Sequence, residues 1–245
     1  VIPFTSHEIK VFNNLYSQKV GGQRNSFNTT LINYLYGVGG RFNIGFDARI
    51  RSVSLGPEDE SIFNVFGGSA QNRGGFTAIG PKIRWAFLPQ APNFSIQSAL
   101  TFPIGNELTG NANDIYIDWD GPSWNTQLFN DFTINDDLSL YAEIGFIWED
   151  MGNEEDGRAN QKSLPITTIL QYFFTKDWTV YALGNYAPFL GQQDDHFYQY
   201  GIGTKYRFTQ SFEAELLFTD FNRKTLNDAG GQAGTYNLGI RYSIF

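Results

Sequence analysis

Apolar residues recur at every second position along nearly the whole chain, and a helical period of 3.6 is almost invisible. In "DLSLYAEIGFIWED", Leu138, Leu140, Ala142, Ile144, Phe146 and Trp148 share one face, and Ser139, Tyr141, Glu143, Gly145 and Ile147 the other. In "FYQYGIGTKYRF" the sides are Tyr198, Tyr200, Ile202, Thr204, Tyr206 and Phe208 against Gln199, Gly201, Gly203, Lys205 and Arg207. "NFSIQSALTFPIG" sets Phe94, Ile96, Leu100, Phe102 and Ile104 against Gln97, Ala99 and Thr101. Side chains alternate across an extended strand, so this pattern dictates strands with one apolar and one polar face.

Twelve such strands are expected, near residues 7–18, 27–37, 41–54, 75–87, 93–104, 122–133, 137–148, 162–174, 177–188, 197–208, 211–222 and 235–245. Most exceed the usual globular strand of about 5–6 residues and reach the roughly 9–11 needed to cross a bilayer at a tilt. Short connections fall at 37–40, 89–92, 135–137, 175–177 and 209–210. Longer ones cover 19–26, 55–74, 105–121, 149–161, 189–196 and 223–234. Short and long connections therefore gather at opposite rims, as in membrane barrels. Trp85, Phe87, Phe132, Phe174, Trp178, Phe208, Phe212 and Tyr242 lie near the short turns, and Trp124, Phe146, Trp148, Tyr186, Tyr198 and Phe218 near the long loops. On a barrel these form two aromatic girdles.

A soluble sandwich also alternates, but its apolar face points inward. It would need twelve long strands to leave Lys82, Arg84, Gln97, Glu143, Glu213 and Glu215 in water in a chain that is 17% aromatic and only 17% charged. No apolar run approaches the 18 residues of a membrane helix. The expected fold is an all-β, twelve-stranded antiparallel transmembrane barrel over residues 1–245, as a single domain. The opening "VIPFTSHEIK" lacks a charged n-region and an apolar h-region, which fits a mature chain whose signal has been removed. The absence of Cys excludes disulfides, thiolate metal sites and a Cys nucleophile. A net charge of −8 and a pI near 4.7 argue against nucleic acid as a partner.

The last strand, "YNLGIRYSIF", places Asn237, Gly239, Tyr242 and Ile244 at the spacing polar, Gly, aromatic, apolar, with Phe245 one residue beyond. This resembles the closing strand of Gram-negative bacterial outer-membrane β-barrels, the porin-like superfamily, which commonly end on an aromatic residue. The resemblance implies the bacterial outer membrane, lipid and lipopolysaccharide as surroundings, and recognition by the outer-membrane assembly machinery. An even strand number puts both termini on the short-turn rim, which is the periplasmic one. By strict alternation Phe245 points inward there.

The polar face of each strand then lines a lumen. Lys205, Arg207, Glu213, Glu215 and Arg241 cluster on the last three strands, and Asp47, Arg49, Arg51, Lys82 and Arg84 on the third and fourth, with Glu143 on the seventh. Such groups need partners or water, and they read either as structural pairs filling a narrow barrel or as a charged constriction that filters solutes. Gly45, Gly80, Gly145, Gly201, Gly203 and Gly239 leave space on this face, while Phe76, Phe129, Tyr141, Phe173 and Tyr181 take it back. Twelve strands lie between the filled eight-stranded barrel and the open sixteen-stranded porin, so pore width depends on whether the loops at 55–74 and 105–121 fold inward.

The long loops are acidic, with "NEEDG" at 153–157 and "DIYIDWDG" at 114–121 the densest segments, but neither has the EF-hand spacing. No cofactor, metal or catalytic residue is expected. "DWD" (Asp118 and Asp120) with Asp194 and His196 resembles the acidic and histidine halves of the omptin surface-protease site, over four residues only. The leading functional expectation is a narrow passive channel for small hydrophilic solutes. The second is an accessory barrel subunit with protein partners in a larger outer-membrane complex. The third is an omptin-like surface hydrolase.

Overall fold

The computed structural model of the chain describes residues 1–67, 71–91, 93–105, 107–110, 115–152, 160–191, 196–221 and 233–245. Among them the strands are β1 His7–Val20, β2 Gln23–Gly39, β3 Phe42–Pro57, β4 Asn72–Trp85, β5 Ser95–Pro103, β6 Ser123–Asn135, β7 Leu138–Trp148, β8 Lys162–Ser163, β9 Ile166–Phe173, β10 Trp178–Pro188, β11 His196–Arg207, β12 Phe212–Phe221 and β13 Ala233–Ile244. β8 and β9 are one stave interrupted at Leu164–Pro165, so the wall has twelve staves. Each pairs antiparallel with its sequence neighbour, β13 closes on β1, and β6 pairs with β7 to complete the ring. Closure leaves no open sheet edge, the condition for a sheet that crosses lipid.

The outer face is the apolar one. Ile202 is 68% exposed and Leu216 59%, whereas on β13 the inward Asn237 is 6% exposed between outward Tyr236 and Leu238. Outward Tyr236, Leu238, Ile240, Tyr242 and Ile244 face β1 partners across the seam in unbroken register from His7↔Ile244 to Gln18↔Ala233. Near the short-turn rim the outward aromatics touch in chains: Tyr172, Phe174 and Trp178, then Tyr206, Phe208 and Phe212, with centroids 4.9–6.4 Å apart. At the other rim Trp124 meets Phe146 at 5.5 Å and Phe218 meets Tyr236 at 5.6 Å.

Two local expectations are corrected. Residues 19–26 are not a long loop. β1 and β2 continue to a two-residue hairpin at Gly21 and Gly22, whose φ of 61° and 79° only glycine adopts freely. Phe76 does not face the lumen. Arg49 pairs with Ala78 but Ile50 with Phe76, so Thr77 is an extra residue in β4. This β-bulge reverses the parity beyond it and turns Phe76 outward, 43% exposed.

Residues 1–6 cross the short-turn rim. The Ile2 amide donates to Asn43 Oδ1 at 2.9 Å, and Asn43 Nδ2 donates back to the Ile2 carbonyl at 3.0 Å. The Thr5 amide donates to the Gly37 carbonyl at 2.8 Å. Phe245 lies just past β13, 74% exposed, beside a cavity of about 470 Å³ shared with Val1, Ile2, Arg207 and Arg241.

Candidate functional site

The inner wall carries two polar networks built by adjacent strands. On one side Lys82 Nζ contacts Asp47 at 2.9 Å, and Asn33 donates to the same carboxylate at 2.9 Å. Next to it Arg84 donates twice to Gln97 Oε1, at 2.9 and 2.6 Å. Gln97 passes a bond to Gln127 at 2.8 Å, Gln127 to Glu143 at 2.9 Å, and Tyr141 also donates to Glu143. The chain thus crosses β4, β5, β6 and β7 at one level. The Arg84 guanidinium also lies over the Phe129 ring, 5.4 Å from its centroid.

The other side is made by β10 to β13 and β1. Arg241 meets Glu213 at 2.5 Å, and Tyr181 donates to Glu215. Lys205 lies 5.0 Å from the Tyr181 ring centroid and 3.5 Å from Gln171 Oε1. Register puts Lys205 opposite Glu215 and Arg207 opposite Glu213. Lys10 and Glu8, 3.4 Å apart, add a pair on β1 that the lumen expectation did not include. Their alternate positions in "HEIKVF" were a readable signal. A cavity of about 280 Å³ lies among Lys10, Asn33, Lys205, Glu215 and Arg241.

The lumenal glycines do not simply leave space. Gly203 sits opposite Tyr181, and a Cβ there would lie 2.3 Å from the ring. The glycine gap and the aromatic fill are one cross-strand joint.

Among the described residues, those of the β5–β6 connection depart from a plain wall. Leu108 and Ile117 are buried against Val53, with Phe27, Leu55 and Ile115 packed around them. Val53, Phe27 and Leu55 are inward residues of β2 and β3, so Leu108, Ile115 and Ile117 of this loop pack into the barrel. Asp120 holds its shape by accepting from the Leu108 and Thr109 amides and the Thr109 hydroxyl. Arg73 on β4 donates to the Ile115 carbonyl at 2.8 Å and the Glu107 carbonyl at 2.7 Å. Asp118, fully buried, contacts Arg49 Nε at 2.9 Å and Arg51 Nη1 at 3.1 Å. Asp150 accepts from the Gly121 amide at 2.6 Å. Of the expected lumen residues, Arg49 and Arg51 are thus joined to a loop, and Asp47, Lys82, Arg84, Glu143, Lys205, Glu213, Glu215 and Arg241 to other strands. The loop's partners were hidden because Arg51 and Asp118 are 67 residues apart.

Burial pushes the Glu149 carboxyl up beside this junction, against the pull of Arg49 and Arg51. The folded-in loop therefore favours the protonated form. That preference is complete below the ordinary carboxylate range and is lost as pH rises through the raised value. Glu149→Gln is expected to remove this pH dependence and tighten the loop at neutral pH. Trp119 fluorescence followed from pH 4 to 8 checks it, the variant giving the flatter profile.

Among the described residues of the omptin-like constellation, Asp118 and Asp120 are engaged by β3 and by the loop itself. Asp118 is buried on two arginines and Asp120 caps loop amides, while Asp194 lies outside the described residues, as does 153–157. His196 packs between the outward Tyr186 and Tyr198 rings, 5.6 and 6.1 Å away. Among the described residues no three His, Asp or Glu side chains are grouped to hold a metal.

No protein-family model and no curated protein sequence matches the chain. Solved structures do match in fold. An outer-membrane channel from Pseudomonas putida F1 superposes with a TM-score of 0.62 at 12% identity, over 100% of this chain and 97% of that one. The transport unit of the autotransporter AIDA-I from Escherichia coli gives 0.60 at 12% identity, over 98% and 90%. The KdgM porin gives 0.51 at 12% identity, over 96% and 99%. The chain has the closed twelve-stranded fold of the outer-membrane β-barrels.

Proposed function

We propose that the chain is a narrow passive channel for small hydrophilic solutes in the bacterial outer membrane, with both termini and the short turns on the periplasmic side. The observation that carries this reading is the polar inner wall narrowed by an inward loop. A barrel that served only as a lipid-embedded scaffold would gain by filling its interior with apolar side chains. Here instead Arg49, Arg51, Lys82 and Arg84 descend two adjacent strands against Asp47 of the same strands and Asp118 of the loop, four cations to two carboxylates, in a chain of net charge −8. That bias favours anions over cations in the pore. Two of the three neighbours above are described as a channel or a porin, which speaks for those proteins and lends the reading support.

In planar bilayers the purified chain is expected to give discrete current steps, with a reversal potential shifted toward that of chloride in a KCl gradient. Absence of steps in a preparation whose unboiled gel mobility marks it as folded would overturn the channel. The closing strand, with Asn237, Gly239, Tyr242, Ile244 and Phe245, is assigned to the assembly machinery, and the outer wall to lipid and lipopolysaccharide.

The accessory-subunit reading keeps one observation of its own. An apolar groove of about 820 Å³ runs along the outer wall among Leu170, Val180, Ala182, Ile202, Leu216 and Phe218. Stoichiometric co-purification with another membrane protein, lost on Ala182→Trp, would favour it.

A further inference from the structure

We propose that Arg49 and Arg51 form a carboxylate-binding site in the pore, and that Asp118 occupies it as a built-in stand-in for the solute. The inference rests on the channel reading and names its solute class as small carboxylates.

The two arginines stand at alternate positions of β3, so both project inward at successive depths. Each meets a different oxygen of one carboxylate, at 2.9 and 3.1 Å. Two guanidiniums converging on the two oxygens of a planar acid is the geometry that recognises carboxylates. Asp118 is fully buried, yet each arginine side chain remains about one-fifth exposed, at 22% and 20%. The cations therefore keep solvent-accessible surface while the anion they hold does not.

The source of the counter-charge sets this site apart. Lys82 takes Asp47 from the neighbouring strand, and Arg241 takes Glu213 likewise. Those pairs join side chains whose strands are hydrogen-bonded to each other. Arg49 and Arg51 take theirs from the β5–β6 loop, which can leave without breaking a strand pairing. What replaces Asp118 must be an anion, because two inward guanidiniums stripped of their carboxylate are strongly unfavourable. A neutral sugar offers no such compensation, and a cation is repelled. Register then places Arg84, which is only partly buried, opposite Asn43, further toward the short-turn rim. A carboxylate that leaves the arginine pair meets this guanidinium next.

The test uses gluconate against glucose, molecules of similar size that differ in the carboxylate. Trp119 adjoins Asp118, so its fluorescence reports binding in detergent whether or not the protein conducts. Asp118→Asn removes the competing charge and should tighten gluconate binding by about tenfold, the worth of one charge-assisted contact. Glucose should produce no saturable change, and Arg49→Gln in either background should abolish the gluconate response. In bilayers Asp118→Asn should raise conductance and show gluconate-dependent interruptions. Equal gluconate affinity in wild type and Asp118→Asn overturns the stand-in role. A glucose response matching gluconate, or inorganic phosphate binding more tightly, overturns the carboxylate assignment. If Asp118→Asn does not fold, wild type alone decides, through loss or persistence of its weaker gluconate response in Arg49→Gln. Conductance without gluconate binding would sink the site and spare the channel; binding without conductance would do the reverse.

Discussion

Gly80→Val should prevent the barrel from closing. Gly80 lies on β4 where β5 approaches so tightly that a Cβ would fall 1.8 Å from the Leu100 carbonyl oxygen and 2.7 Å from the Thr101 Cα. Both are backbone atoms of a paired strand and cannot rotate aside as a side-chain tip would. Pro81 follows directly and offers no amide to the ladder, so β4 and β5 already have a gap in their hydrogen bonding here. The substitution must push apart a pair that is thinly joined, at a cost of about 3 kcal/mol or more. Loss of the compact, fast-migrating unboiled species on a gel reads this out. A fully compact Gly80→Val barrel would show that the β4–β5 approach is not a constraint. Ala99, opposite Lys82 on the same strand pair, supplies the control: Ala99→Ser adds a hydroxyl without a steric demand on the backbone and should leave mobility unchanged.

The strands and their two faces were legible because a single period carries both. Lys82 meets Asp47, Arg84 meets Gln97 and Arg241 meets Glu213 across adjacent strands, and the seam from β13 to β1 follows the pattern to Ile244. What failed was parity across an insertion. Nothing in "GGFTAIG" marks Thr77 as an extra residue, and one extra residue reverses all that precede it in the strand. Phe76 was the casualty. The Gly21–Gly22 hairpin has a readable sequence signal in "VGGQ", two glycines between alternating runs. The inward-packed loop residues were the least visible part. Their anchor is a contact between residues 67 positions apart, which no local pattern encodes. A partial clue existed in "IYIDWD", where Ile115 and Ile117 alternate like a wall strand although the segment lies in a connection. Apolar side chains at that spacing in a loop need a surface to cover, and the inner wall at Val53 supplies it.

The inner-wall ion pairs should differ sharply in worth, and burial decides which one matters. Lys82 is 3% exposed and Asp47 23%, while Arg241 is 38% exposed opposite Glu213 at 14%. Removing one member of a buried pair leaves an uncompensated charge and typically costs about 3–5 kcal/mol. Asp47 keeps its bond from Asn33 and some contact with lumenal water, so Lys82→Met is expected to cost less, about 2–3 kcal/mol. Arg241→Met removes a charge that already reaches water, and about 1 kcal/mol or less should be lost. Urea unfolding from lipid vesicles, followed by tryptophan fluorescence, compares the two. The decisive variant is Lys82→Met combined with Asp47→Leu, which removes both charges at once. If the cost of the single substitution lies in the stranded carboxylate, the double variant should recover most of it, with a coupling energy of about 2 kcal/mol. If the double variant is as unstable as the sum of its parts, the Lys82 stem is held by packing rather than by Asp47. The inner wall would then be a set of independent side chains, and its charges would be free to serve a passing solute without cost to the barrel.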